Sequence, residues 1–250
     1  MRKFRQRAGR RETGVLLTLT AMMGLSARGA LGATFGGDLT AASDYIFRGI
    51  SQNDGRAAAQ FDLHVAGDGG YFAGIWGTTL DSRRPRADYE AQVYAGRRFV
   101  LSSAWSASLS AVDYSYLHRG NSVSGDYQEM AVSVAYLDSV TFSFAASPNA
   151  VRYWRGYRLG RYAAYDTDVA GQWQIVGNLF VTGGAGYYYL AGPAPRSGTP
   201  GYAYGNAGIA LEWRAWRADV GYFFADSQAE RLFPYAASNN RVAATLNWRF

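Results

Sequence analysis

The last ten residues of the chain, 241–250, alternate between apolar and polar side chains with a strict period of two. The apolar face consists of five alternate residues, Val242, Ala244, Leu246, Trp248 and Phe250. Because successive side chains of a strand point to opposite faces, this pattern predicts a β-strand with one apolar face. An unpaired edge on such a strand invites aggregation, so we expect the strand to pair with the first one in a closed barrel.

The terminal pattern also resembles the carboxy-terminal signal of bacterial outer-membrane barrels, in which a terminal Phe and alternating apolar residues are read by the barrel-assembly machinery. The resemblance implies that the five apolar residues form an assembly signal and that this machinery is a partner. The last strand of a soluble β-sandwich could show the same alternation. This strand alone therefore leaves both folds open.

The other end of the chain has the three-part form of a secretory signal peptide. Residues 1–11 are rich in Arg, residues 15–25 are apolar or small, and residues 27–33 are rich in Ala and Gly. The apolar core is too short to span a bilayer. We therefore predict a cleaved signal peptide over residues 1–33, with the mature chain beginning between residues 30 and 34 and the barrel domain spanning 34–250.

Loss of the signal peptide changes the electrostatic interpretation. The whole chain has 25 basic and 19 acidic residues, and its pI is about 9.5. The signal region carries seven of the basic residues and one of the acidic residues, so the mature part would be close to neutral. The high pI is then a targeting feature and gives no support to nucleic-acid binding. The chain has no Cys, which excludes a disulfide framework and a thiolate metal site.

Twelve alternating segments can be recognised between Asp38 and the end of the chain. They span residues 38–51, 57–65, 71–80, 88–96, 104–117, 127–137, 140–147, 162–175, 179–190, 204–213, 216–225 and 241–250. In the fifth segment the inward pattern changes parity near Val112, which predicts a β-bulge. Outside the signal region there is no apolar run of 18 residues, so no transmembrane helix is expected.

The connections between these segments alternate in length. Connections after even-numbered segments are short, whereas those after odd-numbered segments are mostly longer, such as 148–161, with 52–56 as the exception. Outer-membrane barrels join their strands by short periplasmic turns and longer extracellular loops. The alternation therefore predicts an all-β fold, a transmembrane antiparallel up-and-down β-barrel of about 12 strands in the bacterial outer membrane.

Three segments in the first part of the chain carry a family resemblance. They are residues 43–52 (SDYIFRGISQ), 71–77 (YFAGIWG) and 93–96 (VYAG). These segments resemble the TorF family of putative porins of proteobacteria, and the similarity covers roughly residues 37–99. The resemblance implies an outer-membrane channel, but the substrates of that family are themselves poorly defined.

Polar residues that alternate with lipid-facing side chains must face the lumen of a barrel. This rule predicts a pore-lining set of thirteen residues: Asp44, Arg48, Asp62, His64, Glu90, Glu129, Asp166, Asp168, Glu212, Arg217, Asp219, Arg241 and Arg249. Eight of them are acids and four are arginines. They can pair across neighbouring strands or select solutes by charge, and a narrow lumen would allow both roles.

The sequence offers little for catalysis or for metal binding. His64 should face the lumen, whereas some outer-membrane barrels that hydrolyse lipids carry a Ser and His pair on the outer wall. Asp166 with Asp168, or His64 with Asp62, would supply two ligands where a hard cation requires about six oxygens. We therefore expect a protein that is not an enzyme and that has no metal site and no cofactor.

The longer connections are basic. They and their bases contain ten arginines, Arg83, Arg84, Arg86, Arg119, Arg152, Arg155, Arg158, Arg161, Arg196 and Arg231. Such arginines can bind the phosphates of lipopolysaccharide, attract anionic solutes or simply be solvated.

Two functions fit these features. One is a passive, weakly cation-preferring channel for small hydrophilic solutes, and the other is a non-conducting barrel that serves as a structural or adhesive scaffold. We favour the channel because short loops can close a small barrel only partly. The expected partners are outer-membrane lipid and lipopolysaccharide, the assembly machinery and small hydrophilic solutes, and not nucleic acid.

Overall fold

The computed structural model describes residues 32–80, 87–117, 125–154, 157–193, 200–233 and 240–250. Their strands form one closed antiparallel barrel of twelve strands. The barrel strands are β1 (Thr34–Ala42), β4 (Ala58–Ala66), β5 (Tyr71–Thr79), β6 (Tyr89–Val100), β7 (Trp105–Leu117), β8 (Tyr127–Tyr136), β9 (Val140–Trp154), β10 (Tyr157–Val176), β11 (Leu179–Leu190), β12 (Gly201–Trp213), β13 (Trp216–Ala225) and β14 (Arg241–Arg249). The predicted barrel fold is confirmed, whereas the predicted signal peptide lies almost wholly outside the described residues.

Three further elements lie in the connections. β2 (Ile46–Phe47) and β3 (Ile50–Ser51) form a separate two-stranded hairpin between β1 and β4. A 3-10 turn at residues 68–70 joins β4 to β5, and a short helix α1 (Gln228–Leu232) lies between β13 and β14. Within the described ranges, no helix has the length and apolar composition that crossing a bilayer requires.

The last strand closes the barrel, as its alternation predicts. β14 runs antiparallel to β1, with Trp248 opposite Leu39. Beyond the last paired residues, the N–H of Phe250 donates to the carbonyl of Gly37 at 3.0 Å, and the N–H of Gly37 donates to the carbonyl of Phe250 at 3.1 Å. The terminal residue is therefore part of the seam between the two strands.

The outer surface of the barrel is apolar. On β14, Val242 is 65% exposed and Phe250 is 57% exposed, whereas the inward residue Ala243 is only 4% exposed. Large apolar side chains are exposed on the other strands as well, among them Val93, Val132, Ile209 and Val220. Soluble proteins rarely expose so extensive an apolar surface. Apolar residues outside and polar residues inside are the pattern of a barrel that contacts lipid.

The predicted first strand, 38–51, is wrong beyond Ala42. β1 ends at that residue, and the following chain turns away from the wall into the barrel. Arg48 and Gly49 have φ angles of 50° and 75°, which belong to the left-handed region and not to a strand. The first connection therefore spans residues 43–57, and the apparent exception in the alternation of loop lengths disappears.

The predicted loop over 148–161 is also wrong. β9 and β10 continue beyond their predicted ends and leave only residues 155–156 between them. Their pairing register shifts between Arg158 and Gly160 and again between Tyr162 and Ala164. Such irregularities interrupt the period of two, so the alternation in the sequence does not reveal these parts of the strands.

Candidate functional site in the barrel interior

The connection 43–57, which we call the inner hairpin, folds into the barrel from the rim at which β1 ends. Two contacts with the wall fix its base. Arg241 Nη1 on β14 donates to Asp44 Oδ2 at 2.8 Å, and the Asn53 side-chain amide donates to the carbonyl of Thr79 on β5 at 3.2 Å. The hairpin is thus attached to the wall on both sides of the seam strand β1.

Arg48, at the tip of the inner hairpin, is held by two carboxylates of the barrel wall. Its Nη2 lies 2.5 Å from Glu129 Oε1 on β8, and its Nε lies 3.0 Å from Asp166 Oδ2 on β10. All three side chains are at most 5% exposed. Burial by itself lowers the pKa of Arg48, but Asp166 and Glu129 outweigh it and raise the pKa above its ordinary value. The guanidinium is a buried cation fixed between two strands.

Aromatic side chains complete the surroundings of Arg48. Its guanidinium carbon lies 4.9 Å from the ring centroid of Tyr188 on β11, within the range of a cation–π interaction. The Tyr202 hydroxyl on β12 donates to the backbone carbonyl of Arg48 at 3.1 Å. The Tyr204 hydroxyl donates to both carboxylate oxygens of Asp166 at 3.0 Å. The tip is therefore held by groups from β8, β10, β11 and β12.

The inner hairpin also contacts the opposite side of the barrel. The Tyr45 hydroxyl donates to Glu90 Oε1 on β6 at 3.4 Å, and its ring centroid lies 5.5 Å from that of Trp76 on β5. The ring of Phe47 lies 6.1 Å from that of Tyr114 on β7. The hairpin thus contacts strands on opposite sides of the barrel. It therefore crosses the interior and narrows it at the level of Tyr45 to Arg48.

The position of the inner hairpin explains why the inward face of β7 changes from serine to apolar residues. Ser110, Val112 and Tyr114 all point inward and are buried, and β7 pairs with both neighbours without a shift of register. The predicted bulge near Val112 is therefore wrong. The inward face becomes apolar at Val112 because the inner hairpin and its aromatic contacts cover it there.

Helix α1 adds a second cover on the same side. Ala229 and Leu232 of the helix are buried in a cluster with Ile50 of the inner hairpin and with Leu190 and Tyr202 of the wall. The connection between β13 and β14 therefore packs onto the hairpin and does not simply project into solvent.

A second charged cluster lies nearer the rim with the short turns. Arg217 Nη2 lies 2.7 Å from Asp219 Oδ1, and Nη1 donates to Glu212 Oε1 at 2.8 Å and to Gln172 Oε1 at 3.2 Å. Arg249 Nη1 lies 3.9 Å from Glu212 Oε1. The predicted pairing across neighbouring strands is present here.

Asp62 on β4 has two neighbours inside the barrel. It accepts a hydrogen bond from the Tyr94 hydroxyl at 2.6 Å, and its other oxygen lies 2.5 Å from His64 Nδ1. His64 points inward, so it lies away from the outer wall where a lipid hydrolase would need it. Among the described residues, no three His, Cys, Asp or Glu side chains come together in a group that could hold a metal ion.

Two acids of the predicted set, Glu90 and Asp168, form no ion pair with the described residues. Glu90 is 2% exposed and accepts a hydrogen bond from the Gln92 amide at 2.8 Å. Asp168 on β10 is only partly buried. It lies opposite Gly186 of β11 and opposite Ser143 of β9.

All thirteen predicted residues lie inside the barrel, but two are in a different element than expected. Asp44 and Arg48 belong to the inner hairpin and not to the wall, because β1 ends before them. The other eleven lie on barrel strands. The sequence analysis missed the aromatic residues that contact the hairpin. The turn itself had a signal in the sequence, because a glycine, Gly49, follows Arg48 inside the supposed strand. That these residues line a pore stays a prediction.

Some of the basic residues assigned to loops have other positions. Arg152 lies on β9, is 2% exposed and donates to the carbonyl of Leu190 at 2.5 Å. Arg161 on β10 donates to the carbonyl of Asp126. Both belong to extended strands and bind the backbone, which corrects the loop assignment. Six of the arginines lie outside the described residues: Arg83, Arg84, Arg86, Arg119, Arg155 and Arg196.

A closed barrel of twelve strands with an apolar outer surface and a charged interior is a bacterial outer-membrane β-barrel. The fold is similar to that of the NanC porin, with a TM-score of 0.56 and 12% identity over 84% of this chain and 97% of that one. It is also similar to the KdgM porin in complex with disordered oligogalacturonate, with a TM-score of 0.51 and 9% identity over 87% of this chain and 99% of that one.

The chain belongs to the family described as "Bacterial protein of unknown function (Gcw_chp)", whose model matches residues 26–165, more than half of the sequence. Among curated protein sequences, none matches this chain. The family match does not carry the name TorF, so that part of the resemblance stays a prediction.

Proposed function

We propose that the protein is a porin-like channel for the passive diffusion of small hydrophilic solutes, with a weak preference for cations. The observation that carries this proposal is the polar and charged inner surface of the barrel wall between the inner hairpin and the rim with the short turns. This surface includes Ser106, Ser143, Asp168, Arg217 and Arg249. A small barrel that serves only as a scaffold can fill its interior with apolar side chains. The porin folds and the resemblance to the TorF family support the same proposal.

The proposed cation preference follows from two opposing fields. The predicted pore-lining set has eight acids and four arginines, whereas the long connections are rich in arginine. Exposed loop charges are screened beyond about 8 Å at physiological salt. Interior charges act on a permeating ion at close range and should dominate. For the same reason, acidic oligosaccharides such as the one in the KdgM complex are not the expected solutes of this barrel.

One observation favours the alternative of a non-conducting structural or adhesive scaffold. The inner hairpin contacts strands on opposite sides of the barrel, and α1 packs onto the hairpin. If these two elements fill the whole cross-section, solutes cannot pass. The polar wall below the hairpin would then be a closed, hydrated pocket.

Planar-bilayer recordings of the refolded barrel separate these possibilities. We expect single-channel steps and, in a salt gradient, a reversal potential of the sign that indicates cation preference. A reversal potential of the opposite sign would contradict the selectivity. Absence of conductance above background, with a correctly folded protein, would favour the scaffold.

We further propose how the barrel reaches its membrane. Residues 1–33 would direct secretion and be removed, and the exposed alternate residues of β14 would be read by the barrel-assembly machinery. Outer-membrane lipid would contact the apolar wall. Arginines of the long connections would contact lipopolysaccharide phosphates.

A further inference from the structure

We infer that Asp168 sets the charge preference of the pore. This inference rests on the proposed channel function and deepens it, because it assigns selectivity to one residue of the thirteen. The interior carboxylates differ in whether they have an ion pair, in how deeply they are buried, and in whether they face the space that solutes must cross.

Six of the eight acids in the predicted set have a basic neighbour. The pairs are Asp44 with Arg241, Asp62 with His64, Glu129 and Asp166 with Arg48, and Glu212 and Asp219 with Arg217. A further inward acid, Asp38 on β1, lies opposite Arg249 on β14 and accepts a hydrogen bond from Thr40.

An ion pair weakens the field that a carboxylate presents to a passing ion. Arg48 and Arg217 each share their charge between two carboxylates, but these four acids are at most 16% exposed. Glu90 is unpaired but 2% exposed, and it lies behind Tyr45 of the inner hairpin. These seven acids of the predicted set are therefore poor candidates for the selecting group.

Asp168 differs from the other acids in its surroundings. It has no hydrogen bond and no ion pair with any of the described residues, and its side chain is only partly buried. On β11 its register partner is Gly186, which has no side chain to cover the carboxylate. The ring of Tyr204 lies over Gly186 and covers part of this space, and its hydroxyl donates to Asp166. The carboxylate of Asp168 therefore keeps partial access to the interior and has no hydrogen-bond donor among the described residues.

The position of Asp168 places its carboxylate close to the level at which the inner hairpin crosses the interior. Asp166, two residues earlier on the same face of β10, holds the tip of the inner hairpin through Arg48. Asp168 follows it toward the rim with the short turns. Any ion that passes the hairpin along β10 therefore meets this carboxylate at close range, where screening is weakest.

Asp166 and Asp168 consequently have separate roles. Asp166 is a positioning residue for the inner hairpin, and its loss should alter the size of the pore. Asp168 acts on the solute, and its loss should alter the charge preference and leave the pore size unchanged. The two substitutions must be made separately, because a double variant would mix both effects.

The test compares reversal potentials in a KCl gradient for the wild type, Asp168→Asn and Glu90→Gln, each refolded as the full mature barrel. Both variants replace one interior carboxyl group by an amide, so Glu90→Gln is the matched control. We expect Asp168→Asn to bring the permeability ratio of potassium to chloride close to unity with little change in conductance. Glu90→Gln should retain most of the wild-type ratio. Heat-modifiable migration on gels confirms that each variant is folded.

Asp168→Lys provides a second variant, for which we expect preference for chloride. An unchanged ratio in Asp168→Asn, or an equal change in Glu90→Gln, would overturn the assignment while the channel function stands. A folded wild type without conductance would instead overturn both, so the two failures can be distinguished.

Discussion

At the scale of single residues, the inner hairpin depends most on the buried guanidinium of Arg48. Its removal would leave Glu129 and Asp166 buried without a counter-charge. Breaking a buried ion pair by removing one partner costs about 3–5 kcal/mol. We therefore expect Arg48→Gln to lower the free energy of unfolding by about that amount, measured by urea titration of the folded band on gels.

Arg249→Gln is the matched control for this substitution. Arg249 is 36% exposed, and its nearest carboxylate oxygen lies 3.9 Å away. Exposed pairs contribute about 0–1 kcal/mol, so a small change is expected. Equal destabilisation by the two substitutions would contradict the role of Arg48.

Gly49 tests the same hairpin through backbone packing. Its φ is 75°, and a Cβ at this position would lie 2.7 Å from the carbonyl oxygen of Phe224 and 2.7 Å from Cβ of Tyr204. Gly55 has the same φ of 75°, but the nearest atom to a Cβ there, Arg241 Nη1, is 3.7 Å away. An Ala at either position would have the same unfavourable left-handed φ. A difference between the two variants therefore measures the effect of the close contacts at Gly49.

We expect Gly49→Ala to displace the hairpin and Gly55→Ala to leave it in place. Limited proteolysis of the refolded barrels measures this displacement, because a detached hairpin becomes accessible to the protease. Cleavage within residues 43–57 should be faster in Gly49→Ala. The same cleavage rate in both variants would refute the tight packing at Gly49.

At the scale of elements, the seam between β1 and β14 includes the terminal residue. Phe250 exchanges two backbone hydrogen bonds with Gly37, and its ring lies 5.1 Å from that of Trp248. We expect deletion of Phe250 to leave secretion intact and to lower the amount of heat-modifiable barrel in the outer membrane. Phe250→Ala retains the backbone bonds and should give an intermediate yield if closure and the aromatic signal both contribute. A normal yield after deletion would disprove the importance of this seam residue.

The elements also show what the sequence could predict. β14 and β13 alternate cleanly, because one face meets lipid and the other meets the interior along their whole length. The segment 43–52 alternates too, but there the alternation arises in a hairpin that packs inside the barrel. A period of two reports that two faces differ, and it does not report which surfaces they meet. The inner hairpin therefore could not be distinguished from a longer first strand.

The candidate site was predictable to a similar extent. Residues on strands, such as Asp62 and Arg217, could be assigned to the interior from parity alone. Their partners could not, because Arg48 reaches β8 and β10, which are far from it in the chain. The proposed selectivity depends on these long-range pairs, since they leave Asp168 as the part-buried acid of the predicted set that has no ion pair among the described residues. That information lies in the closed arrangement and not in the local pattern.

At the scale of the whole molecule, the barrel has a polar inner surface, and the inner hairpin narrows the interior at one level. Ala42 and Ala58 are register partners on β1 and β4, so a short turn can join these strands without the hairpin. Replacing residues 44–56 by a short Gly and Ser linker would remove the narrow level. The wall, its seam and Asp168 would remain. Glu129 and Asp166 would then face a wider, hydrated interior in which both can stay charged.

Single-channel conductance of this shortened variant, compared with the wild type in the same bilayer and salt, tests the central claim most directly. A channel narrowed by the inner hairpin predicts measurable conductance in the wild type and a larger conductance, with retained cation preference, in the shortened variant. Equal conductance in two folded barrels would contradict the role of the hairpin, and absence of conductance in both would contradict the channel itself.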